Sequence, residues 1–84
     1  MSLTRQSKKH LYNVYDTMLD LDTNEKGILS HAFLCDSKQD ARQCRNNVQN
    51  VIVKGVLKTK YTTHIINAVN DEDQIYWFCI VTKL

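Results

Sequence analysis

The chain has no proline and only two glycines in 84 residues, which leaves little room for long irregular loops or a flexible linker. Its apolar runs are short. The longest, "VIV" and "IYWFCIV", fall far below the roughly 20 residues of a membrane-spanning helix. The N-terminal "MSLTRQSKKH" lacks the apolar stretch of a secretory leader. These absences predict a cytoplasmic protein with no membrane partner. Cys35, Cys44 and Cys79 are odd in number and form no C-x-x-C pair, so reduced core thiols are expected rather than a disulfide framework. Glycine-rich phosphate loops, a G-x-S-x-G elbow and a Cys-His pair at a shared period are also missing, and no enzymatic activity or cofactor is expected.

What is present suits one small domain spanning residues 1–84. Hydrophobic residues make up 43% and charged residues 24%, the balance of a folded chain rather than a disordered one. The net charge is only +2, but it is unevenly spread. Between Asp36 and Lys60, six basic residues face two acidic ones, and Arg5, Lys8 and Lys9 form a second basic group. Acids gather at Asp16, Asp20, Asp22 and Glu25, and again at Asp71, Glu72 and Asp73. One basic face is expected if the fold joins the two basic groups.

Periodicity divides the chain into four pieces. From about Thr4 to Leu21, the spacing of Leu11, Val14, Tyr15, Met18 and Leu19 predicts an amphipathic helix. After "DTNEKG", Ile28, Leu29, Ala32 and Phe33 in "ILSHAFLCD" suggest a second, short helix. "DARQCRNNVQNVIVKG" gathers Ala41, Cys44, Val48, Val51 and Ile52 on a narrow arc and predicts a third. Ser37 or Asp40 would cap its start, and Gly55, at ease in the left-handed region, would end it. The period then changes to two. "YTTHIINAV" and "QIYWFCIV", rich in β-branched and aromatic residues and joined by "NDED", read as an antiparallel hairpin. Ile75, Trp77, Cys79 and Val81 share one face of the last strand; Tyr76, Phe78 and Ile80 share the other. With both faces apolar, that strand needs cover on both sides or a second chain.

Three helices followed by a hairpin, with "VIVKGVL" ending the third helix and "IYWF" in the last strand, resemble the winged helix-turn-helix family, and distantly its small regulators of fimbrial phase variation. That resemblance implies an α+β fold with a C-terminal hairpin wing and transcriptional regulation through sequence-specific binding of double-stranded DNA. A module of this size is seldom specific enough on DNA alone, so a homodimer or a second DNA-bound protein beside it is expected. The third helix would enter the major groove, where Arg pairs with guanine and Asn or Gln with adenine. Arg42, Gln43 and Asn46 are the first choices for base edges, followed by Asn47 and Asn50. Arg45, Lys54, Lys58 and Lys60 would meet phosphates.

A polar outer face is what any surface helix has. Composition favours recognition here, because the helix has no Glu and places Arg, Gln and Asn where better helix formers would solvate equally well. Against DNA stands the acidic tip "NDED", which phosphates would repel. The alternative expectation is a winged-helix protein-interaction adaptor, of the kind a phage or plasmid uses on a host complex. Two metal sites fail on pattern. Asp20, Asp22 and Asn24 begin like a calcium loop, but Glu25 replaces its glycine and His31 its final glutamate. His31, Cys35, Cys44 and His64 match no zinc spacing.

Overall fold

The computed structural model describes residues 2–5 and 13–84. In chain order these residues form β1 (Ser2–Arg5), α1 (Asn13–Thr23), β2 (Ser30–Cys35), α2 (Lys38–Val53), β3 (Tyr61–Val69) and β4 (Ile75–Lys83). The strands make one sheet in the order β1-β2-β4-β3, parallel between β1 and β2 and antiparallel elsewhere. The parallel join requires a crossover, and α1 lies within it. α2 packs on β2, β4 and β3, and α1 packs alongside α2.

This arrangement corrects the winged helix-turn-helix expectation. The class, α+β, stands, but the described residues contain two helices rather than three, and the hairpin is half of a four-stranded sheet rather than a wing. The missing helix is "ILSHAFLCD", whose central residues are β2. Flanked by β1 and β4, β2 has His31, Ala32, Phe33 and Cys35 buried, so residues pointing to both faces are apolar or enclosed. An interior strand reads as a continuous apolar run, and period alone does not separate it from a buried helix. The start of the first predicted helix is also corrected: Thr4 and Arg5 belong to β1, while the described helix, Asn13–Thr23, keeps Val14 and Met18 on its buried side. Leu11 and the basic pair Lys8 and Lys9 lie outside the described residues.

The core forms where α1 and α2 meet the sheet. Val14, Met18 and Leu21 come from α1; Ala41, Cys44, Val48 and Val51 from α2; Phe33, Cys35, Cys79 and Val81 from the strands. The α2 stripe follows the predicted phase, with Ile52 only half-buried. Of the two caps considered, Ser37 is the one used: its Oγ accepts from the Asp40 N–H at 3.1 Å. Past the C-terminus, Gly55 has φ of 72°, the left-handed conformation that ends a helix at little cost to glycine.

The hairpin register pairs Ile65 with Cys79 and Asn67 with Trp77, on the side facing the helices. Its turn is organised by Asn70, whose Oδ1 accepts from the N–H groups of Glu72 and Gln74, each at 2.9 Å. The helices do not reach the turn. Burial along β3 falls from Tyr61, 9% exposed, to Val69, 60% exposed.

Candidate functional site

Two surfaces stand out, one on each layer. The first is the outer face of α2. Arg42, Gln43, Arg45, Asn46 and Asn50 are exposed, and Asn47 is half-exposed. Periodicity places these side chains outward because the opposite arc is sunk in the core. Among the described residues, Arg42, Gln43, Asn46 and Asn50 make no side-chain hydrogen bond, whereas the neighbouring Gln49 reaches Thr63 Oγ1 at 3.4 Å. Their hydrogen-bonding groups therefore face solvent or a partner.

The predicted cations are scattered differently. Lys54 lies over the ring of Tyr15 on α1, its Nζ 5.6 Å from the ring centre. That contact ties the end of α2 to its neighbouring helix. Lys58 and Lys60 are exposed in the loop before β3, beyond the end of the helix. Arg5 lies in β1, at the sheet edge, in register with Leu34. Lys38, not among the predicted contacts, sits 5.7 Å from the centre of the Trp77 ring.

The loop holding Lys58 and Lys60 is fixed by an acid from the failed calcium pattern. Asp22 accepts from the Lys58 N–H at 2.8 Å, the Thr59 N–H at 3.2 Å and the Tyr61 hydroxyl at 2.6 Å. Burial pushes its carboxyl up, but the three donors outweigh that and hold it below its ordinary value. The same bond, with burial the larger cause, pushes the Tyr61 phenol well up. Asn24 is likewise engaged with its own chain, accepting from the Lys26 and Ile28 N–H groups. Asp22 and Asn24 of the calcium-like pattern are structural clasps.

The zinc pattern is not assembled either. Cys35, Cys44 and Cys79 are buried free thiols, whereas β-register puts His64 on the opposite side of the sheet from Cys79. Hydrogen bonding to Cys35 and Cys79, reinforced by burial, pushes the Cys44 thiol far up and keeps it protonated. Among the described residues, no group of three His, Cys, Asp or Glu side chains is placed to hold a metal ion.

The second surface is the side of the sheet away from the helices. The register places Ala32 and Leu34 of β2, Tyr76, Phe78 and Ile80 of β4, and His64, Ile66 and Ala68 of β3 on that side. No described helix covers it. Ile66 is 44% exposed, and Leu34, Tyr76, Phe78 and Ile80 are half-buried. The sequence signalled this surface through the apolar residues on both faces of "IYWFCIV", but only the topology shows which face lacks cover.

No family model, curated protein or solved structure matches this chain. No helix among the described residues is long and apolar enough to cross a membrane.

Proposed function

We propose that this chain is a protein-interaction adaptor, and that the outer face of α2 is its contact with a partner protein. The observation that carries the reading is the setting of α2: its hydrogen-bonding side chains face outward while α1 packs beside it. A DNA major groove about 12 Å wide takes one helix of about 10–12 Å, and a second helix 8–10 Å away would meet the phosphate wall. The helix that would meet it carries exposed Asp16 and Asp20. A protein surface imposes no such wall. Arg42 and Arg45, flanked by amides, suit an acidic patch with free carbonyl or carboxylate acceptors.

The composition of α2 favours a second reading, the sequence-specific DNA regulator, with Arg42, Gln43 and Asn46 near the helix N-terminus as base-reading groups. One experiment separates the two. Immobilised wild-type protein and an Arg42→Glu/Arg45→Glu variant are compared for capture from nuclease-treated lysate of the source cell, with a low-salt gel shift on random duplex alongside. The adaptor predicts a protein retained at least tenfold better by wild type, and no shifted duplex. Equal retention by the variant, or a duplex shift that the variant abolishes, overturns it.

A further inference from the structure

We infer that the sheet face left uncovered by the described helices is occupied by a second copy of this chain, packed face to face about a two-fold axis with the two hairpins running in opposite directions. Three observations lead there. The first is the apolar strip itself: Leu34, Phe78, Ile80, Tyr76 and Ile66 lie side by side across three strands. Sheets of this kind stack about 10 Å apart when their inner faces are apolar.

The second is size. The nine-residue β3 and β4, roughly 30 Å each, and the six-residue β2, roughly 20 Å, lying abreast at about 4.8 Å, give a patch of about 380 Å² in plan. In plan alone that is about half of the roughly 800 Å² per partner of a standard interface.

The third is charge, which selects both the occupant and its direction. The hairpin carries Asp71, Glu72 and Asp73 at its tip and, in the loop leading into its base, Lys58 and Lys60, whereas Lys83 is in register with the buried Tyr61 on the helix side. With the two hairpins parallel, the acidic tips would be stacked on each other. Reversing one copy lays each tip against the other's lysines, and β4 crosses its own symmetry mate near Phe78. A two-fold interface must be self-complementary, and this surface is so in only one of the two directions. The helix layers then face outward on opposite sides, so a dimer would present two copies of the α2 face.

The test is mass in solution, by light scattering and sedimentation equilibrium, across a concentration series at low and high salt. The wild type is expected at about twice its 9.8 kDa chain mass. Ile66→Glu and Phe78→Glu should each raise the dissociation constant at least tenfold, with circular dichroism confirming that each variant is folded. Ile66 is the more exposed of the two, so it decides the matter should Phe78→Glu unfold. Lys60→Glu should weaken the dimer several-fold, and adding Asp71→Lys and Glu72→Lys should restore it. A monomeric wild type at 100-fold the concentration of the capture experiment overturns the proposal. So does a dimer indifferent to Ile66→Glu, or a tip-and-base exchange that restores nothing. The adaptor reading depends on capture through Arg42 and Arg45 and can fail while the dimer stands, or stand while it fails.

Discussion

Asp22 sits near the end of α1 and collects two backbone N–H groups and the Tyr61 hydroxyl from a loop far along the chain. Hydrogen bonds to a charged acceptor contribute more than neutral ones, and on this partly solvated site Asp22→Asn is expected to cost about 1–2 kcal/mol in urea unfolding at pH 7. The carboxyl is held below its ordinary 3.8, so its contribution is present above that pH and is lost as pH falls through the folded value. The gap between wild type and Asp22→Asn should therefore close in acid. His31 behaves in the opposite chemical sense. Burial lowers its imidazole below 6.5, against the Phe33 ring at 4.6 Å. Protonation favours the unfolded chain, so stability should decline as pH drops below 6.5, and His31→Leu should flatten that slope. The three buried thiols offer a further check: a thiol reagent should find them unreactive in the native protein and titrate all three in denaturant.

Among the elements, α2 depends on its cap and its stripe. Ser37→Ala removes the acceptor for the Asp40 N–H and should cost about 1 kcal/mol, read from the denaturant midpoint. α2 and the hairpin were legible in the sequence because one face of each meets the core while the other meets solvent or stays bare, which imposes a period of 3.6 or 2. β2 was not legible. Its Ala32 and Phe33 point to opposite faces of the sheet, and the enclosure that makes both buried comes from strands distant in the chain. β1 is held by parallel pairing with β2, and four residues leave almost no pattern of their own. The candidate site divides in the same way. Outward exposure of Arg42, Gln43, Arg45, Asn46 and Asn50 follows from the phase of α2, but the neighbouring α1, which decides what that face can approach, is a tertiary fact.

Across the whole molecule, the sheet joins residues far apart in sequence: Ser30 pairs with Thr82 and Cys35 with Trp77. Such non-local pairing slows folding, and refolding followed by Trp77 fluorescence should occur in milliseconds to seconds rather than microseconds. Phe33 is the largest side chain that the described core encloses completely. Phe33→Ala should cost about 3–5 kcal/mol, with fluorescence and far-ultraviolet circular dichroism losing signal together.

Because the hairpin outruns the helices, its ladder is a graded clock for amide hydrogen exchange. Protons near Tyr61 and Lys83 should be released only with global opening, while those toward Val69 and Ile75 escape through local fraying. At concentrations where a second copy clasps the bare end, that gradient should flatten, and dilution should bring it back.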